Sequence, residues 1–271
     1  MDWPRYASTL IGSILGGVAI LWIVAGYYHV RYYQRRKDEP ETWKCQPKRF
    51  LRAEQQKQAM RLSTMNLAIG GVISGNLVYF SMSGWEGTKV YTDVAEYGWA
   101  WTIGGTLVFF VIADALAYYA HRFMHGRFMF KNVHRHHHKF VATSPWVVTA
   151  MHPVEFLVFQ AVTFLPLFII PFHFLSVVAA LIYILIFNII DHSGVDLVSS
   201  LPWQGPSRYH DDHHAHFHVN FGQHLMLWDR MHGTLRREDR SYGADVFGGK
   251  GKGGDPRAQG APAEKPRFVR Y

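Results

Sequence analysis

The sequence concentrates its histidines in three short places. Six lie between His121 and His138, one is His192, and five lie between His210 and His218. The first 120 residues contain only His29. Histidine is rarely used so densely for packing, because each neutral ring buries a donor and an acceptor that both need partners. Its imidazole nitrogen is the commonest protein ligand for transition metals. The distribution therefore indicates a site for metal, and for more than one ion.

The spacing within these places is typical of metal ligands. His121 and His125 are four residues apart, so on a helix both rings project from one face. The segments HRHHH and HDDHH repeat the pattern H-x-x-H-H, at His134, His137 and His138 and at His210, His213 and His214. A structural zinc ion needs four ligands, whereas these segments offer more. The surplus favours two ions with open coordination positions, which suits oxygen chemistry better than hydrolysis.

Four long apolar runs predict an all-α integral membrane protein with about four transmembrane helices. The runs are residues 7–28, 62–85, 97–120 and 156–190. About 20 apolar residues cross a hydrocarbon core as a helix. The fourth run is too long for one ordinary helix and contains Pro166 and Pro171, so we expect a helical hairpin there. The first run lacks a basic leader and a convincing cleavage site, which favours a retained anchor.

The charge distribution predicts the orientation of these helices. Residues 31–61 carry ten Lys and Arg against four Asp and Glu, which is typical of a cytoplasmic loop. Alternation of the helices then places all three histidine regions on the cytoplasmic face. The net charge of +8 is explained by this loop rather than by nucleic-acid binding. The single cysteine, Cys45, excludes an intrachain disulfide and a cysteine-rich zinc motif.

The composition suggests three parts of the chain. Residues 1–61 form an N-terminal anchor helix with its basic loop, and residues 62–239 contain the remaining apolar runs and the three histidine regions. Residues 240–271 are rich in Gly, Pro and Ala and lack apolar periodicity, so we expect a disordered tail.

The histidine segments resemble those of a known superfamily. HRFMH, HRHHH and HDDHH match the three histidine boxes of the fatty acid hydroxylase/sterol desaturase superfamily of membrane di-iron oxygenases. The match extends to MHPVEF around His152, to NIIDHSG from Asn188 to Gly194, and to NFGQHLMLWDRMHGTLR from Asn220 onwards. It covers roughly residues 114–237. Sterol C-5 desaturases, C-4 methyl sterol oxidases and cholesterol 25-hydroxylases share this spacing most closely.

The resemblance implies a four-helix transmembrane stem under a cytoplasmic helical cap that holds two iron ions. Zinc is an alternative occupant in purified protein. The resemblance further implies O2 as a substrate and electrons from NAD(P)H through cytochrome b5 or another reductase-type carrier. Carried over position by position, the metal ligands are His121, His125, His134, His137, His138, His192, His210, His213 and His214.

Several other polar residues near the boxes are candidates for metal binding or for orienting a ligand. They are Asn188, His152, His216, His218, Asp191, Asp211 and Asp212. The Asn188 amide is expected either to hold an iron ion through water or to satisfy a polar group at a helix end. His136 is expected to be exposed, and Asp114 to pair with Arg122 or with a ligand histidine. His224 and the remaining isolated histidines are expected to be ordinary interfacial or capping residues.

These observations predict an O2-dependent di-iron oxidoreductase that hydroxylates or desaturates an unactivated C–H position of a sterol or related lipid. The alternatives are a fatty acyl or carotenoid hydroxylase of the same chemistry and, in a different class, a membrane metal transporter or metal-binding protein. A transporter would place ionisable residues within its spans, whereas the boxes lie beyond them. The expected location is the endoplasmic reticulum in a eukaryote or the inner membrane in a bacterium.

Overall fold

The protein is mostly helical. The computed structural model describes residues 1–253 and 269–270. Its helices are α1 Trp3–Tyr28, α2 Ala53–Met82, α3 Gly98–Met124, α4 Arg127–Met129, α5 Arg135–His138, α6 Pro153–Phe164, α7 Phe174–Asp191, α8 Ser207–His216 and α9 Leu227–His232. Two π-helical turns, His29–Gln34 and Phe130–His134, and three 3-10 turns, Pro40–Thr42, Val94–Glu96 and Leu165–Phe168, connect them. The predicted all-α class is confirmed.

The strands have two residues each and form three short ladders. They are β1 Val90–Tyr91, β2 Phe172–His173, β3 Leu197–Val198, β4 Arg240–Ser241, β5 Lys252–Gly253 and β6 Val269–Arg270. β1 pairs with β2 and β3 with β6 in parallel, and β4 pairs with β5 antiparallel. The ladders join loops and form no layer of their own.

Four helices of the described chain are long and apolar enough to cross a membrane, in agreement with the prediction. They are Trp3–Gln34, Ala53–Met82, Gly98–Met124 and Phe174–Asp191. The first three helices extend beyond at least one end of the corresponding run, because charged and polar residues continue the helix, whereas Phe174–Asp191 covers only the second half of the fourth run. The extension matters most in α3, where it carries the helix as far as His121 and Met124.

The first two helices approach each other closely over two glycines of α2. A Cβ atom at Gly71 would lie 2.5 Å from the Ile14 Cα, and one at Gly75 would lie 3.0 Å from the Leu10 Cα. Small residues allow such contacts between membrane helices, where van der Waals packing rather than the hydrophobic effect holds helices together. The α1–α2 pair is therefore specified by the absence of side chains at these positions.

The predicted hairpin is present and is asymmetric. α6 has 12 residues, about 18 Å of helix, and passes into the 3-10 turn that contains Pro166. The tip then pairs with the loop between α2 and α3, with Val90 opposite Phe172 and the Lys89 amide donating to the Leu167 carbonyl at 2.7 Å. Helices α1, α2, α3, α6 and α7 form the stem. The tip of the hairpin therefore lies at the end of the stem opposite the histidine regions.

Asp114 connects the stem to the cap, which consists of α4, α5, α8, α9 and the segments around them. Its carboxylate accepts hydrogen bonds from the backbone amide of His224 at 3.0 Å and from the indole of Trp228 at 2.7 Å. The expectation that Asp114 pairs with Arg122 or with a ligand histidine is wrong. Asp114 lies about two helical turns before those residues on α3, and the segment between α8 and α9 descends to meet it.

The C-terminal segment is packed at its beginning. β4 and β5 enclose residues 242–251, and the Ala244 carbonyl contacts His218 Nε2 at 2.9 Å. The predicted boundary at residue 240 therefore does not coincide with the end of the packed structure. The prediction of disorder for the rest of the tail, 254–268 and 271, falls outside the described residues. The division into three parts remains a prediction.

We expect Gly71→Ala to lower the midpoint of thermal unfolding by several degrees. The new methyl group meets backbone atoms of Ile14 that cannot move independently, and overpacking of this kind typically costs ~1–3 kcal/mol. Differential scanning fluorimetry of the purified protein in detergent measures the change. Gly16→Ala is the matched control, since a Cβ there has no neighbour within 4 Å. An equal midpoint in both variants would refute the close packing.

Candidate metal centre

The histidine boxes lie on four elements that meet at one end of the stem. His121 is in the last turn of α3 and His125 follows that helix directly. The second box runs from the π-helical turn into α5, His192 follows the last residue of α7, and the third box is on α8. Because α3 and α7 are both stem helices, their ends bring ligands to the same level.

The structure gathers the nine predicted ligands into two groups. The five-histidine group contains His121, His125, His134, His138 and His213, and the four-histidine group contains His137, His192, His210 and His214. Within each group, one nitrogen from every ring lies within 4.8 Å of the others, and all nine residues are buried. His136, as expected, is exposed.

Each H-x-x-H-H box contributes to both groups. The two histidines that are four residues apart enter one group, and the histidine between them enters the other. His137 of the second box therefore joins the four-histidine group, while His213 of the third box joins the five-histidine group. The groups adjoin, since the rings of His138 and His214 are 5.0 Å apart between centroids.

Three ring nitrogens of the five-histidine group converge on one nitrogen of His134, which is more than mutual hydrogen bonding can satisfy. His134 Nε2 lies 3.2 Å from His121 Nε2, 2.8 Å from His125 Nε2 and 3.1 Å from His138 Nε2. A neutral ring nitrogen donates one hydrogen bond or accepts one, so it cannot satisfy three neighbours. Nitrogens bound at right angles to one metal ion, with bonds of about 2.1 Å, are about 3 Å apart. The spacing therefore fits a shared ion.

The four-histidine group shows the same convergence. His192 Nε2 lies 2.9 Å from His210 Nε2 and 3.4 Å from His137 Nε2. Both ring nitrogens of His214, and Nε2 of His213 in the neighbouring group, are buried without a hydrogen-bond partner among the described residues. Buried polar atoms without partners are costly and therefore rare. A metal ion would supply the missing partner in each group.

Several of these rings are oriented by a contact at Nδ1, the ring nitrogen that does not face the other histidines of the group. Nδ1 of His121, His192 and His213 contacts the backbone carbonyls of Phe221, Asn188 and Val219 at 2.7, 2.7 and 2.6 Å. A carbonyl can only accept, so Nδ1 carries the proton and Nε2 keeps its lone pair for a metal ion.

Burial also keeps the rings neutral. Loss of solvation lowers the pKa of His134, His137 and His213 well below the usual histidine value, and it lowers the pKa of His192 to about 4. Metal ions bind the neutral imidazole, so a set of buried neutral rings has the protonation state that a metal centre requires.

Glu155, which the sequence did not single out, contacts a predicted ligand. Its Oε1 accepts from Nδ1 of His134 at 2.6 Å, and its Oε2 is buried without a partner in the part of the chain that the structure describes. Both side chains are fully buried. The signal was present in MHPVEF, where a carboxylate precedes a long uncharged run. A carboxylate on the outer nitrogen of a ligand histidine fixes the ring and makes it a better donor.

Two of the additional candidates touch the groups. His218 Nδ1 lies 3.0 Å from His125 Nδ1. Asn188 reaches His192 through its backbone carbonyl, while its side chain lines the cavity described below. Both expectations for the Asn188 amide remain predictions, because the contact to His192 is made by the backbone of that residue.

The remaining candidates have partners elsewhere. His152 Nδ1 accepts from the Val154 amide and begins α6, and His216 packs near Tyr242. The carboxylates pair outside the groups: Asp191 with Gln204, Asp211 with Thr143 and Gln46, and Asp212 with Arg236. These residues hold the cap together and have no direct contact with a histidine of either group in the described chain.

A cavity of about 440 Å³ leads from the histidine groups into the stem. His121, His134 and His192 form part of its upper wall. Its sides are mainly apolar and come from α1, α2, α3, α6 and α7, with Phe156 and Leu185 among the lining residues. A ligand in this space would lie between membrane helices with one end at the histidines.

The fold and the site define a helical membrane protein with two histidine groups at the head of an apolar cavity. Residues 106–234 match the family model described as fatty acid hydroxylase, which confirms the resemblance inferred from the histidine boxes. No solved structure gives a significant match.

Curated relatives are sterol-modifying enzymes by name. The chain is 29% identical to lathosterol oxidase of Rattus norvegicus, over 55% of this chain and 51% of the relative. It is 26% identical to Delta(7)-sterol 5(6)-desaturase of Leptosphaeria maculans, over 87% of this chain and 64% of the relative. It is 32% identical to the enzyme of that name from Candida glabrata, over 57% of this chain and 43% of the relative. The chain thus spans less than two thirds of each of these relatives.

We expect the purified protein to bind two metal ions per chain, one in each group. Alanine at His138 removes a nitrogen from the five-histidine group, and alanine at His210 removes one from the four-histidine group. Each variant should retain one ion or none, as measured by inductively coupled plasma mass spectrometry after chelator washing. The exposed His136→Ala variant should retain both ions. Full metal content in His138→Ala and His210→Ala would contradict the assignment.

Replacement of Glu155 should weaken metal binding without removing a ligand. Glu155→Leu leaves Nδ1 of His134 without its acceptor, and loss of such a contact typically costs about 10- to 100-fold in metal affinity. Glu155→Gln, which keeps an acceptor oxygen, should have a smaller effect. Competition with a chromophoric chelator measures the affinities. Glu54→Leu, at an exposed position of α2, is the control, and equal affinities in all variants would exclude the orienting role.

Proposed function

We propose that the protein is an O2-dependent di-iron oxidoreductase that hydroxylates or desaturates an unactivated C–H position of a sterol or related lipid. The observation that carries this proposal is the arrangement of nine buried imidazoles in two adjoining groups at the head of an apolar membrane cavity. The donors suit a redox metal, and the cavity suits a lipid.

The histidine groups fit two ions of a borderline metal. Imidazole suits zinc, copper, nickel and iron, so ligand type alone does not choose among them. The fatty acid hydroxylase match and the oxidase and desaturase names of the relatives favour iron. The five-histidine group would hold one ion and the four-histidine group the other. When bound, the irons supply O2 activation and the oxidation of the C–H bond.

The chain's own residues hold the ligand rings in place, orient the lipid and exclude water. Backbone carbonyls and Glu155 hold the ligand rings, as described above. The apolar walls of α3, α6 and α7 keep the lipid dry and aligned with the histidine groups. The cavity volume lies within the range of roughly 300–1,000 Å³ that is usual for small-molecule sites. The substrate carbon nearest the groups is the one oxidised.

The names of the relatives favour a sterol as the substrate and desaturation as the outcome. Hydroxylation and desaturation begin with the same oxidation of a C–H bond, so the site is compatible with either. A fatty acyl or carotenoid hydroxylase of the same chemistry is the alternative. Such an enzyme would give oxidised acyl chains or carotenoids rather than sterols in the experiment below.

We place the histidine groups on the cytoplasmic face, with electrons from NAD(P)H delivered by cytochrome b5 or a similar carrier. The basic loop of residues 31–61 supports this side, because it contacts the cap. Gln46 donates to the Asp211 carboxylate at 3.0 Å, and Lys44 bridges to Val195 just beyond the four-histidine group. If this positively charged loop is cytoplasmic, the histidine groups are as well.

The proposal is tested by expressing the chain in cells that lack their own sterol C-5 desaturase and comparing their lipids. The protein should produce sterols that are two hydrogens lighter or one oxygen heavier, dependent on O2 and reductant. Alanine at His137 or His213 should abolish the product, and His136→Ala should preserve it. Intact lipid oxidation in the His137 and His213 variants, together with lost metal flux across the membrane, would favour a metal transporter instead.

A further inference from the structure

The cavity wall contains three carboxamide side chains, those of Gln160, Asn188 and Gln223. Asn188 precedes His192 by about one helical turn and Gln223 contacts His121 Nδ1 at 3.0 Å, so these two lie at the histidine end of the cavity.

Gln160 is on α6 and lines the cavity, together with the smaller hydroxyl side chains of Ser13, Ser74 and Thr163. A carboxamide has two donor hydrogens and an acceptor oxygen, which is more capacity than any of these hydroxyls. In the described part of the chain, no side-chain hydrogen bond engages the Gln160 amide. Gln160 is half-buried, and its amide is available to a partner in the cavity.

The Gln160 amide lies on the side of α6 that faces α2 and the cavity. Gln160 lies in the second half of α6, which descends into the stem away from the histidine groups. The opposite wall is Gly70 of α2, where a Cβ would lie 3.0 Å from Phe156 Cζ and 3.5 Å from Gln160 Nε2. The missing side chain at Gly70 leaves room for both residues. Polar groups at such a depth are costly, and they commonly mark the path of a ligand.

The distance from Gln160 to the histidine groups is short. Gln160 follows Glu155, the contact of His134, by five residues, which is about 7.5 Å along the helix axis. Phe159, its neighbour, has its ring centroid 6.1 Å from that of His121. A molecule that contacts the Gln160 amide therefore also reaches the histidine groups if it extends by about two fused carbon rings.

We propose that the Gln160 carboxamide binds the single hydrogen-bonding oxygen, a hydroxyl or a keto group, of an otherwise apolar rigid lipid. This inference rests on the proposed function and deepens it. Gln160 holds the oxygen, and the rigid skeleton fixes the distance from this oxygen to each of its carbons. This distance selects the carbon presented to the histidine groups. The amide can donate to either kind of oxygen and can accept only from a hydroxyl.

The test compares binding of three probes to the full-length protein in lipid nanodiscs. The probes are lathosterol, the ketone made by oxidising its hydroxyl, and the hydrocarbon that lacks the hydroxyl. Gln160→Leu should weaken binding of lathosterol roughly 2- to 12-fold, as expected for the loss of one neutral hydrogen bond. Binding of the hydrocarbon should be unchanged. A loss for the ketone as well as for lathosterol shows that Gln160 donates, and a loss for lathosterol alone shows that it accepts.

The controls separate recognition from packing. Gln58→Leu, at an exposed position of α2 outside the cavity, should bind all three probes as the native protein does. Gln160→Met, which is closer in shape, replaces Gln160→Leu if the latter does not fold. Equal losses for all three probes, or no loss for any, would overturn the inference. Native protein that binds none of the probes would instead overturn the sterol assignment of the proposed function.

Discussion

The cap depends on the burial of nine imidazoles, and the nitrogens that these rings turn toward one another lack adequate partners within residues 1–253. Desolvation keeps the rings neutral, and backbone carbonyls or Glu155 take the proton-bearing nitrogen of several of them. In the five-histidine group, the nitrogens on the other side of the rings contact one another in greater number than hydrogen bonds can satisfy. On the proposed function, metal binding and folding of the cap are therefore coupled, since the ions satisfy atoms that the chain leaves unpaired.

The stem explains why these rings meet at the membrane surface. α3 and α7 cross the stem and each ends at a ligand, so the length of two membrane helices fixes the level of the site. The α6–α7 hairpin is anchored at the opposite end by the pairing of β1 with β2. Asp114 then ties the loop between α8 and α9 to α3. The cavity lies between these stem helices, directly beneath the histidine groups.

The sequence predicted the helical class, the apolar helices and the residues that meet at the site, because these depend on composition and local spacing. It did not predict which histidines share a group, since that depends on how α5 and α8 cross. The acceptors of Nδ1 were also out of reach: a backbone carbonyl such as that of Phe221 has no signature in the sequence. Glu155 could have been noticed as a carboxylate beside an apolar run. The partner of Asp114 could not, because it is 110 residues away in the chain.

The division of each box between the groups has a mechanical consequence. In the second box, the histidines four residues apart belong to the five-histidine group and the one between them to the four-histidine group. In the third box the assignment is reversed. A shift or rotation of α5 or α8 therefore moves ligands of both groups at once. Two separate metal sites on independent elements could vary independently, but these cannot. The four elements that carry the ligands consequently behave as one unit, and the substrate cavity, whose upper wall is formed by the same rings, is shaped by that unit.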